Sequence, residues 1–164
     1  MEHNRHQWTQ HQLTLQAGLP GVVVIGRRAD GCVALVRHYR PAVGCTLWEL
    51  PRGMGEPSDF KGVAESIGAC RAAAREFGEE TGWELLDPVA CGAICPDSGI
   101  LGNRVVIVHG KVGRFLGNPD GETDQLEFIA EAAVLQRLLQ APSCSDGISL
   151  AAVLVARSGA HVPG

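Results

Sequence analysis

Arg75-Glu76-Phe77-Gly78-Glu79-Glu80-Thr81-Gly82-Trp83 packs three carboxylates into five positions just ahead of a glycine. On a helix, residues three and four apart share a face, so Glu76 points the same way as Glu79 and Glu80. Like charges stacked in this way destabilise an isolated helix by about 0.2–0.5 kcal/mol per pair. The last turn of a helix disfavours anions further, through its dipole. A fold that carries this cost implies a cation at the same place. Oxygen donors alone, at that density, suit a hard divalent ion, Mg²⁺ or Mn²⁺, rather than zinc.

The elements that must position this cluster can be read on either side of it. Val22-Val23-Val24-Ile25 and Cys32-Val33-Ala34-Leu35-Val36 flank Ala29-Asp30-Gly31, an Asp-Gly hairpin signal between two strands apolar enough to be buried on both faces. A short strand follows at 46–50, stopped by Pro51, and 52–62 is rich in Gly, Pro and Ser and reads as a loop. The helix is expected over 63–81, with Gly82 as its left-handed cap and Gly68 as the mark of a late start. Strands are expected at 83–86, 89–93 and 104–112. Residues 126–139 fit either strand or helix, and 148–156 reads as a last helix. Strands around one central helix, closed by a terminal helix, describe an α/β (α+β) mixed sheet with helices packed on it.

The chain's bulk properties narrow the classes of function. At 164 residues it is the size of one domain, expected over 18–156, between a loose head at 1–17 carrying His3, His6 and His11 and a tail at 157–164. A net charge of -4 gives no support for nucleic acid or an anionic membrane as partner. The longest apolar run, 148–156, is too short to span a bilayer. The polar start, Met1 to Trp8, lacks an apolar signal segment, so a cytoplasmic protein with reduced thiols is expected. Its six cysteines contain no Cys-x-x-Cys, and zinc ligand spacing is missing.

The segment from Arg75 to Trp83 resembles the second half of the Nudix box, Gly-x5-Glu-x7-Arg-Glu-U-x-Glu-Glu-x-Gly-U, where U is a bulky apolar residue. Arg75, Glu76, Phe77, Glu79, Glu80, Gly82 and Trp83 all fit. The first half departs from the pattern: the leading glutamate's position holds Ile67 and the opening glycine's holds Lys61. Gly53 matches the opening glycine better, which implies an insertion of about eight residues within the box. Glu65 is then the expected substitute for the leading glutamate, ahead of Glu56. Arg37-His38-Tyr39-Arg40-Pro41, Glu49-Leu50-Pro51-Arg52-Gly53, Pro96-Asp97-Ser98-Gly99 and Asp146-Gly147-Ile148-Ser149 are similar to motifs of the ADP-ribose pyrophosphatase branch. That branch forms homodimers through an N-terminal β segment, and the stretch ahead of Gly18 here is short.

The resemblance implies the Nudix fold, an α/β/α sandwich with the box helix beside a mixed sheet. It also implies hydrolysis of a nucleoside diphosphate linked to another group, ADP-ribose or a related nucleotide-sugar, with Mg²⁺ as cofactor. Dinucleoside polyphosphates, nucleoside triphosphates, or a non-catalytic nucleotide sensor are the alternatives. Glu76, Glu80, Glu79, Glu65 and the backbone carbonyl of Arg52 are the implied metal ligands, with Arg75 orienting the carboxylates. For the base that activates water, Glu122 is favoured over Glu127, and Glu79 could serve instead. Arg37, Arg40, Arg52 and Glu49 are the implied substrate-binding residues, since a guanidinium matches phosphate oxygens bidentately. Trp48 could stack a base or belong to the core.

Overall fold

The computed structural model describes residues 18–117, 119, 121, 123–140 and 144–159. The histidine-bearing head and Glu122 lie outside the described residues.

Strand β1 (Gly21–Arg27) is the centre of the sheet and is buried through Gly26. Its even and odd residues feed two separate cores, as the period of two requires. Val22 and Val24 face one cluster with Ala69, Ala72, Ala73 and Phe77 of the long helix. Val23 and Ile25 face the other, with Val134, Leu138, Ala152 and Val153. Helices therefore cover both faces, giving the expected mixed α/β sandwich.

Around β1 lie β2 (Cys32–Arg40), β3 (Cys45–Glu49), β4 (Arg52–Met54), β5 (Trp83–Ile94), β6 (Val105–Phe115) and β7 (Gln125–Ala130). The main order is β3-β2-β1-β6-β5, with β4 on β1 and β7 on β2. β1 and β6 run parallel, and the other pairs are antiparallel. The helices are α1 (Pro57–Phe60), α2 (Glu65–Thr81), α3 (Val134–Leu138) and α4 (Gly147–Ser158).

The Asp30-Gly31 turn stands as expected, with the Gly31 amide donating to the Arg28 carbonyl. Three expectations are corrected, and the double reading of 126–139 holds in both parts. Residues 52–62 are not all loop: β4 pairs with β1, Val22 opposite Gly53, and α1 follows it. Gly68 does not delay the helix. It sits inside α2 because the Phe60 ring packs where its Cβ would be, 2.2 Å from the nearest ring carbon. The two strands expected at 83–86 and 89–93 are one strand, β5, kept continuous across a register shift between Leu86 and Val89, where Asp87 takes φ 49°. Residues 126–139 are both things in turn: β7, then a 3-10 turn (Glu131–Ala133) and α3. α2 ends as read, on Gly82 at φ 73°.

Candidate active site

The site is built where α2 crosses β4. Glu80 is 4% exposed, and its Oε2 accepts from the Arg52 backbone N–H at 3.1 Å. Burial pushes its carboxyl up to about 8, against the pull of that amide and of Arg40. The Glu76 carboxylate lies directly on the Gly53 backbone: a Cβ on Gly53 would stand 2.0 Å from it. A side chain there would push the Glu76 carboxylate off the strand, which is the physical reason for a glycine at this point of β4. Burial raises Glu76 as well, outweighing Arg75 beside it.

Arg75 is the hub of the acidic side. Its Nη1 donates to Glu76 Oε1 and Glu79 Oε2, each at 2.9 Å. Its Nη2 donates to the Met54 carbonyl at 2.8 Å and to Asp59 Oδ2 at 3.2 Å. Burial works against the Arg75 charge, yet Glu76 and Asp59 hold its pKa above the ordinary value. Asp59 is itself buried and also accepts from the Glu56 amide at 2.9 Å. Among the described residues, no three carboxylate, histidine or cysteine side chains form a group that could hold a metal ion as they stand; Glu76 and Glu79 are turned to Arg75.

A second hub, of opposite sign, lies on the other side of Arg52. Glu49 is fully buried and accepts from Arg40 Nη2 at 2.6 Å and from Arg52 Nε at 2.9 Å. Burial alone would push the Glu49 carboxyl up, but the two guanidiniums outweigh it and hold it below the usual carboxylate value. Its hydrogen bond in turn raises Arg40. Arg52 Nη2 also meets Asp146 Oδ1 at 3.3 Å. Asp146 caps α4 by accepting from the Ser149 amide at 2.8 Å and hydroxyl at 2.6 Å, and Ser149 Oγ accepts from the Leu50 amide at 2.8 Å. Arg40, Arg52 and Gly53 line a cleft of about 270 Å³ with Met54, Asn103 and Ile148.

The structure thus gathers Glu76, Glu79, Glu80, Arg75, Arg40 and Arg52, and sets the other expected residues elsewhere. Glu65 pairs with Arg104 on the surface, eleven residues and therefore about 16 Å along the helix from Glu76. Ile67, at the box's glutamate position, is half exposed. Glu127 pairs with Arg137; its neighbours Leu126 and Phe128 face the α2 core, so alternation turns Glu127 to the opposite side of the sheet. Arg37 stands opposite Trp48 on that same far side, away from Arg40. Trp48 packs on the core there, with the Arg137 guanidinium 5.0 Å from its ring centre. Glu49 is occupied by two arginines and positions them. Thr123 Oγ1 donates to the Glu80 carbonyl at 3.0 Å, fixing the residue after Glu122 beside the end of α2.

Asp59 was missed. Its signal was in the chain: Gly53-x5-Asp59 keeps the spacing of the box's opening half, so the insertion falls after Asp59, not before it. Asp146 and Ser149 were read only as a helix start.

The NUDIX domain family model matches residues 19–144. No curated protein matches the chain by sequence. Among solved structures, an ADP compounds hydrolase shares 17% identity at a TM-score of 0.65, over 85% of this chain and 71% of that one. A NUDIX hydrolase from Nitrosomonas europaea shares 18% at a TM-score of 0.64, over 88% and 92%.

Proposed function

The chain belongs to the NUDIX domain family and is a Nudix hydrolase, and from that premise we propose that it cleaves the diphosphate of ADP-ribose or a related nucleotide-sugar. The products are a nucleoside monophosphate and a sugar phosphate. The observation that carries this reading is the convergence of Glu76 and Glu80 on the Arg52–Gly53 backbone, beside two arginines that line a cleft. The similarity to an ADP compounds hydrolase supports the substrate class.

The donor chemistry fits Mg²⁺. Glu80 is buried, unpaired with any side-chain cation within hydrogen-bond reach among the described residues, and raised to about 8, so a bound cation would supply the missing counter-charge. Glu76, Glu80 and the Arg52 carbonyl would hold it, with Glu79 as the exposed fourth donor. When bound, such an ion would neutralise charge on the diphosphate and polarise phosphorus. Arg75 orients Glu76 and Glu79 through paired hydrogen bonds. Arg40 and Arg52, fixed by Glu49 and Asp146, present guanidinium edges to phosphate or ribose oxygens. Glu79 takes the proton from the attacking water, being the exposed carboxylate on the face that carries the ligands; Glu122, the other candidate, falls outside the described residues.

The test is incubation of purified protein with ADP-ribose and Mg²⁺, with Mn²⁺ in parallel, following AMP release. Absence of turnover on every diphosphate-linked nucleotide overturns the proposal. Turnover confined to dinucleoside polyphosphates or nucleoside triphosphates moves the substrate and keeps the chemistry. A nucleotide sensor is the second reading, because Arg75 already pairs with two of the three box carboxylates. Tight nucleotide binding by calorimetry without product would establish it.

A further inference from the structure

Two cysteines far apart in the chain meet at the edge of the fold. Cys45 Sγ and Cys144 Sγ are 3.7 Å apart across a sequence separation of 99. Cys45 opens β3 and stands opposite Arg40. Cys144 is exposed and lies two residues ahead of Asp146, the cap of α4. A disulfide needs about 2.05 Å between sulfurs. The remaining gap is to be closed by the two side chains and the coil that carries Cys144, and neither cysteine belongs to the buried core. Cys70 and Cys91 differ: burial pushes both thiols up, which lowers their reactivity.

We propose that Cys45 and Cys144 form a reversible disulfide with a small-molecule disulfide of the glutathione class as oxidant. The Cys144 thiolate attacks the small disulfide, forming a mixed disulfide and releasing one small thiolate. The Cys45 thiolate then attacks the Cys144 sulfur, forming the Sγ–Sγ bond and releasing the second. Two protein thiols are oxidised, one small disulfide is reduced to two thiols, and the two protons pass to the leaving thiolates. The bond fastens the N-terminus of α4 to the start of β3. That terminus carries Asp146, which holds Arg52. With Ile94, Pro96 and Ile148 it also walls a second cleft of about 470 Å³ that adjoins the first. Oxidation therefore fixes the wall of the substrate cleft without touching the box carboxylates.

The experiment is equilibration of the whole protein in graded ratios of reduced and oxidised glutathione, read by intact mass, thiol count and peptide mapping. The expected result is a mass lower by about 2 Da, four of the six cysteines still reactive, and one cross-linked peptide pair joining Cys45 to Cys144. Closing so long a loop should raise the melting temperature by about 5–10 °C. Cys144→Ser, exposed and so expected to melt like the reduced protein, should abolish the mass change, and Cys95→Ser should keep it. Persistent glutathione adducts on Cys45 or Cys144, a different cysteine pairing, or an unchanged thiol count would overturn the proposal. These readouts do not depend on hydrolysis, so they stand or fall separately from the proposed activity.

Discussion

Around Arg75, one guanidinium serves Glu76, Glu79 and Asp59; around Glu49, one carboxylate serves Arg40 and Arg52. The two differ in balance: one guanidinium faces three carboxylates, whereas Arg40 and Arg52 are matched by Glu49 and by Asp146, which meets Arg52. The first has negative charge left over, as a cation site requires; the second is balanced and sets two guanidiniums at the wall of the cleft. They are joined through β4. Met54 gives its carbonyl to Arg75, Arg52 gives its side chain to Glu49, and the Arg52 amide goes to Glu80. The proposed function uses both: the acidic hub would hold the cation and the guanidiniums would meet the phosphates.

The strongest way to break the comparison is Glu80→Gln. Losing a ligand worth several kcal/mol should cut Mg²⁺-dependent turnover about 10³-fold, while the metal-free protein keeps or gains melting temperature. The sign follows from linkage. Folded Glu80 titrates near 8, above its ordinary 4.5, so the folded state holds a proton that the unfolded chain releases. Stability is therefore fully present below 4.5 and falls as pH rises through 8, by of the order of 4 kcal/mol. Metal-free melts across that window should show the fall, and the Gln variant should flatten it.

Next comes Glu49→Ala, which leaves Arg40 without its carboxylate partner and Arg52 with Asp146 alone. Breaking a buried pair in this way costs about 3–5 kcal/mol, or about 10 °C in melting temperature for a chain of this length. Calorimetric melting checks it; an unchanged midpoint would mean that the hub is not a structural charge centre. Gly53→Ala is smaller and more selective. Its Cβ would displace the Glu76 carboxylate, the mobile end of a side chain, so stability should change by under about 1 kcal/mol. The Mg²⁺ concentration for half-maximal turnover should rise about 10- to 100-fold. A collapse of the melt instead would make the close approach a packing feature. Smallest of all is Glu65→Ala: an exposed pair with Arg104 is worth at most about 1 kcal/mol, and turnover should be unchanged.

These two hubs were not equally legible in the sequence. The acidic one announced itself, because residues on one helix need only spacing to share a face, and Arg75 through Gly82 kept theirs. The basic one depends on β3, β4 and α4 meeting, which is tertiary pairing that no local pattern encodes. β4 is too short and too rich in glycine to carry a strand signal, so its pairing with β1 was invisible. Two errors were avoidable. Helix rise alone puts Glu65 out of reach of Glu76, and the period of two along Leu126-Glu127-Phe128 puts Glu127 on the side its apolar neighbours avoid. Asp59 was hidden by the insertion, since counting back from Arg75 passes through the added residues and lands on Ile67.

β4 has a further consequence, for how this protein can vary. Its residues sit in fixed register on the central strand, Arg52 opposite Val23 and Met54 opposite Gly21, and that strand is locked in turn to β6. The distance from one end of β4 to the other is two strand steps, about 6.6 Å. Side-chain exchange along it can retune affinity, but the gap between the cation-seeking and anion-seeking ends is set by backbone geometry. Adding or removing one residue there would turn Arg52 to the opposite face and separate the two ends in a single step. The three-residue strand therefore holds its two ends at a fixed spacing whatever side chains they carry.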